Sequence, residues 1–150
     1  MLALVGANKR FLAVDVGQYG RVSDGNVFAN SNIAMRLARQ NFGLPPDENL
    51  VGVPLPYIVI GDEAFPLKKY LMRPYPRSAR RFSEAERIFN YRLSRSRNTI
   101  ENAFGILANT WRIYQRPFEC RVQLCDKLIL ATCGSTHIAT FQSTAKHHST

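Results

Sequence analysis

The stretch YIVIGDEAFPL, residues 57–67, runs an aromatic and three aliphatic residues into Gly61, then sets Asp62 and Glu63 side by side ahead of Phe65 and Pro66. An apolar run without polar alternation reads as a strand buried on both faces, the pattern of a central strand in an α/β sheet. A carboxylate just past the C-terminal end of such a strand lies where open α/β sheets bind ligands. The fold class expected from this stretch is α/β, and Asp62 becomes a candidate for chemistry.

Working outward toward the N-terminus, LPPDENLVGVPLP (44–56) is a proline-studded connector. Before it, SNIAMRLARQNFG (31–43) predicts a helix of about three turns, with Ser31 as N-cap, Ile33, Leu37 and Phe42 near helical spacing, and Gly43 as C-cap. GQYGRVSDGN (17–26) reads as a loop on its glycine, serine, aspartate and asparagine content. The apolar runs Leu2 to Gly6 and Phe11 to Val16, separated by ANKR with its turn-forming Asn8, predict an N-terminal β-hairpin.

Toward the C-terminus, LMRPYPRSARR (71–81) combines turn-formers with four arginines and reads as a basic exposed loop. Ser83 and Glu86 match the Ser-x-x-Glu capping box. Beyond them Phe89, Leu93, Ile100, Phe104, Leu107 and Trp111 line one face at helical spacing, the strongest periodic signal in the chain. Pro117 ends that region. Val122 to about Phe141 predicts a last helix, weakened by Gly134, Ser135 and Thr136, and the tail 142–150 is expected to be disordered.

At 150 residues one buried core is expected. Lys plus Arg outnumber Asp plus Glu by 20 to 11, a net charge of +9 that suits a polyanionic partner and equally serves solubility. No apolar run approaches the ~20 residues of a membrane span, and MLALVG is too short for a signal-peptide core. Cys120, Cys125 and Cys133 cannot all pair with one another, which fits a reducing, intracellular compartment better than a disulfide framework.

The long helix offers a second carboxylate, Glu101, at the edge of the buried stripe and one turn after Arg97. If Asp62 and Glu101 converge, their oxygens suit Mg²⁺ or another hard divalent cation, and a pair of such ions can drive phosphodiester chemistry. Blander readings stand beside these. Asp62 can cap a short helix after Pro66, and Glu101 can be the surface partner of Arg97. Asp24 suits a turn or N-cap, and Glu63 and Asp15 read as structural. Arg73, Arg77, Arg80 and Arg81, interleaved with Tyr70 and Tyr75, suit phosphate gripping and base stacking, or simply a solvated loop. Cys125, Cys133 and His137 match no common zinc spacing, and buried helix cysteines are the better reading.

The segments VDVGQYGRVSDGNVFANS (14–31), LPYIVIGDEAFPLKKYLMRPYP (55–76), ERIFNYRLSRSRNTIENAFGILANTWRI (86–113) and RPF (116–118) closely resemble the transposase domain of PIF/Harbinger DNA transposons and the host nuclease-like proteins derived from them. The resemblance implies a ribonuclease-H-like DDE domain over residues 1–141, in which three carboxylates hold two divalent ions for strand cleavage and transfer. Asp62 corresponds to the second of these and Glu101 to the third. The first, carried on a strand ahead of the hairpin, has no counterpart in the sequence. The expectation is therefore an incomplete domain, lacking its first catalytic strand, with a hairpin, a central strand and long C-terminal helices. The segment ATCGSTHIATF (131–141) also departs from the resembled pattern.

Three functions follow as expectations. One is a divalent-metal-dependent nuclease, inactive as this chain alone. The second is a catalytically dead DNA- or protein-binding remnant, and the third a fragment without function. The resemblance further implies work on DNA in the nucleus, with the cytoplasm as a second compartment, beside a separately encoded Myb-like DNA-binding protein.

Overall fold

The computed structural model describes the backbone of residues 1–17, 24–76 and 81–146, with the side chains of these except 24 and 137–146. The chain divides into two compact units, one of Met1–Tyr19 with Asn98–Thr150 and the other of Gly20–Arg97.

In the first unit the predicted hairpin is present. Strands β1 (Leu2–Val5) and β2 (Phe11–Asp15) pair antiparallel, Leu2 opposite Asp15, with the register shifting between Leu4 and Val5. Asn8 makes the turn as expected, its Oδ1 accepting the Arg10 N–H, while Lys9 takes the left-handed conformation at φ 64°. The Phe11 ring meets Phe104 edge-on at 5.5 Å, which ties β2 to the second half of the long helix.

The last helix of this unit, Val122–Lys146, runs past the expected end at Phe141 and includes part of the segment read as a disordered tail; residues 147–150 lie outside the described set. Its buried Thr132 and Thr136 give their hydroxyl protons back to the preceding turn: Thr132 Oγ1 donates to Leu128 O at 2.7 Å and Thr136 Oγ1 to Thr132 O at 2.6 Å. Such bonds let a β-branched polar residue sit inside a helix without an unsatisfied hydroxyl. Thr136 also accepts the Trp111 indole N–H at 3.2 Å, and Tyr114 bonds Thr132 through its hydroxyl. Ala103, Leu107 and Cys133 complete the buried set.

The second unit opens on two short helices. Part of the expected loop is helix α1 (Asp24–Ala29), followed by α2 (Asn32–Ala38). Ser31 caps α2 as predicted, its Oγ accepting the Ala34 N–H at 3.0 Å. The same oxygen donates to Phe28 O at 2.7 Å, so one buried hydroxyl joins the end of α1 to the start of α2. Phe28, Ile33, Ala34 and Leu37 form the core beneath them.

Helix α2 stops sooner than Gly43 suggested. Gln40 takes the left-handed position at φ 53°, with Gln40 N–H bonded to Leu37 O and Asn41 N–H to Arg36 O, both at 3.1 Å. This paired closure satisfies the last carbonyls without glycine, and Gly43 serves the loop beyond. The presumed connector carries a hairpin, β3 (Glu48–Leu50) and β4 (Val53–Leu55), turned by Val51 and Gly52, both at positive φ.

The strand that suggested an α/β sheet is short. β5 (Val59–Ile60) pairs with β6 (Leu71–Met72) in a parallel two-stranded sheet, and Ile60 is exposed rather than buried on both faces. Among the described residues β5 is not a central strand, because no third strand joins it. The mixture of helices and small strand pairs is consistent with the α/β class.

The long helix α3 (Glu84–Thr110) supplies residues to both units. Its capping box forms as predicted: Glu86 N–H donates to Ser83 Oγ at 3.2 Å and Ser83 N–H to Glu86 Oε2 at 2.9 Å. Leu93 and Leu107 of the predicted stripe are buried. No helix among the described residues is long and apolar enough to cross a membrane.

Candidate functional site

Asp62 sits in a turn built from the Gly20–Arg97 unit alone. β5 delivers the chain to Gly61, whose N–H donates to Met72 O at 2.8 Å as the last rung beside β6. The chain then reverses: Phe65 N–H donates to Asp62 O at 3.2 Å, and Ala64 N–H to Asp62 Oδ1 at 2.9 Å. The carboxylate therefore caps a tight turn over 62–65. This corrects the expectation that it would cap a helix after Pro66, since a further turn and the isolated Lys68–Leu71 bridge follow instead.

Two other parts of the chain hold this turn. Phe65 packs edge-on against Phe28 of α1 at 5.4 Å. A Cβ placed on Gly25 would lie 2.8 Å from the Ala64 carbonyl oxygen, so α1 and the turn approach this closely only because residue 25 is glycine. Arg73, just past β6, donates from one guanidinium nitrogen to Glu63 O and Phe65 O, each at 3.1 Å. The Asp62 carboxylate is thus presented by a turn clasped from below by backbone, aromatic and cationic contacts.

Its second oxygen faces a cation already. Arg97 Nη2 stands 3.8 Å from Asp62 Oδ2, with both side chains about one-third exposed. Sequence reasoning had read Arg97 as a neighbour of Glu101 on the same helix; the structure gives Arg97 to Asp62. Glu101 lies on the solvent-exposed side of α3 in the Met1–Tyr19 and Asn98–Thr150 unit. Among the described residues, no group of three or more His, Cys, Asp or Glu side chains is placed to hold a metal ion. With one Asp62 oxygen capping the turn and the other beside a guanidinium, the residues present do not by themselves fit a two-ion centre.

Arg73 is committed to the turn, and its role there escaped sequence reasoning because the acceptors are main-chain carbonyls with no signature in residue type. Arg77 and Arg80 lie outside the described residues, and Arg81 is exposed just ahead of α3. Tyr75, read as suited to base stacking or to a solvated loop, is exposed and packs edge-on against Phe89 at 5.3 Å, and both its N–H and its carbonyl bond the Asn90 side-chain amide. Exposed arginines absent from that expectation, Arg87, Arg92 and Arg95, continue along α3.

Asp24 opens α1, its side chain outside the described set, and Asp15 ends β2. Cys133 is buried as expected of a helix cysteine, and burial pushes its thiol pKa up. The His137 side chain lies outside the described set.

The family model described as DDE superfamily endonuclease matches residues 1–135. No curated protein and no solved structure matches the chain.

Proposed function

The chain belongs to the DDE superfamily endonucleases, and from that premise we propose that it is a nuclease domain of PIF/Harbinger-type transposase descent, inactive as an isolated chain. The family generally works with divalent metals. In this reading the domain is ribonuclease-H-like, and Asp62 and Glu101 are two of the three carboxylates that hold Mg²⁺ or a similar ion. The third carboxylate comes from outside the 150 residues. DNA is the substrate, the nucleus is the place of action, and a Myb-like DNA-binding protein is the partner that brings the domain to its target.

The observation that carries the reading is the family match over residues 1–135. The hydrogen-bonded turn that presents Asp62 supports it, since a metal-ligating carboxylate needs a positioned backbone. The inactivity of the isolated chain rests on the resemblance, in which only two of three carboxylates have counterparts in the sequence, and on the guanidinium beside Asp62. The test is conversion of supercoiled plasmid to nicked circles in Mg²⁺ or Mn²⁺. The isolated chain is expected to leave the plasmid intact. Nicking that disappears in both Asp62→Asn and Glu101→Gln would show that this chain is an active enzyme and refute its proposed inactivity.

A second reading, a DNA-binding remnant, is favoured by the net charge of +9 and by exposed Arg81, Arg87, Arg92 and Arg95. It predicts metal-independent binding, insensitive to Asp62→Asn, that weakens at least about tenfold between roughly 50 and 200 mM salt.

A further inference from the structure

Two thiols that the nuclease reading leaves unused lie against one another. Cys120 precedes the last helix and Cys125 lies in its first turns; their sulfurs are 3.1 Å apart, and Cys125 also points its S–H at the Cys120 carbonyl oxygen at 3.6 Å. Arg121 O accepts from both Leu124 N–H and Cys125 N–H, at 2.9 and 3.1 Å, which fixes the backbone between the sulfurs. Both cysteines are half-buried, so an oxidant of small size reaches them, whereas Cys133 is fully buried. The separation is slightly shorter than a non-bonded sulfur contact and needs a shift of about 1 Å to reach the bonded distance.

We propose that Cys120 and Cys125 are a redox-responsive dithiol, closed to a disulfide by a small-molecule disulfide of the glutathione class. One thiol loses its proton and its thiolate attacks a glutathione sulfur, releasing one glutathione thiolate and leaving a mixed disulfide. The second thiol then loses its proton, and its thiolate attacks the protein sulfur of that mixed disulfide, releasing the second glutathione. Two electrons and two protons leave the protein, and one glutathione disulfide becomes two thiols. The closed ring fastens the segment after the Arg112–Gln115 3-10 helix to the first turns of the last helix.

The hydrogen bond between the two sulfurs pushes the Cys125 thiol pKa up.

The test uses the full chain in graded glutathione redox buffers, folded and in denaturant, followed by quenching with N-ethylmaleimide and tryptic mass spectrometry. Cleavage after Arg121 separates the two cysteines, so a disulfide appears as the peptides Ile113–Arg121 and Val122–Lys127 held together. The folded chain should reach half-linkage at a glutathione disulfide level at least tenfold lower than the denatured chain, with Cys133 unlinked. In Cys120→Ser, Cys125 should carry glutathione instead. Equal linkage in folded and denatured chains would overturn the proposal, as would full maleimide labelling of both cysteines at every ratio.

Discussion

Arg73 and Arg97 approach the Asp62 turn in different ways, and the difference sets what their loss should do. Arg73 gives charge-assisted hydrogen bonds to two carbonyls of the turn from a half-buried position. Arg73→Ala should lower the unfolding free energy by about 1.5–3 kcal/mol, read by urea denaturation. Arg97 makes one long, partly solvated ion pair. Arg97→Gln should shift stability by less than about 1 kcal/mol, and a larger loss would mean the pair is structural. Tyr114 and Cys133 are both held neutral, in each case mainly because burial raises the pKa. Since the folded values lie above the unfolded ones, the stability they support is full below the ordinary cysteine and tyrosine values of about 8.5 and 10, and is lost as pH rises through them. Melting temperature should hold level from neutral pH and begin to fall as pH passes about 8.5, and Tyr114→Phe should reduce the part of the fall above about pH 10.

At the scale of elements, what was legible was what is local. Ser31 and the Ser83–Glu86 box announce their helices because the capping bonds join residues three apart. The β1–β2 hairpin follows from two apolar runs and one asparagine. The β3–β4 hairpin was hidden because its turn uses Val51, a β-branched residue that rarely accepts φ 53°, and because Pro54 reads against a strand. Val51→Asn should relieve this and stabilise the Gly20–Arg97 unit by about 0.5–1 kcal/mol, read in the same denaturation experiment. The end of α2 was misplaced for a similar reason. Gln40 does a glycine's work, and Gln40→Gly should add about 0.5–1 kcal/mol. β5 was overestimated because an apolar run reports burial potential but not how many partners the strand will find.

At the scale of the whole molecule, the candidate site was half legible. Asp62 at the exit of one strand and Glu101 on one helix could be singled out as candidates from neighbouring residues, but only the family resemblance gave them a metal-holding role. The clasp on the Asp62 turn is made by Gly25, Phe28, Arg73 and Arg97, which the fold gathers from α1, the segment after β6, and α3. No periodicity links those positions. The two-unit division likewise depends on long-range packing that composition does not encode.

The proposed function makes Asp62 and Glu101 of this DDE superfamily endonuclease chain carboxylates of a metal centre without its full set. Titration of the intact 150-residue chain with Mn²⁺, followed by the loss of the free-ion electron paramagnetic resonance signal, tests it most directly. The expected result is at most one weakly held ion per chain, with binding reduced in Asp62→Asn and in Glu101→Gln. Two tightly held ions per chain would contradict it, because a complete centre would then lie within these residues.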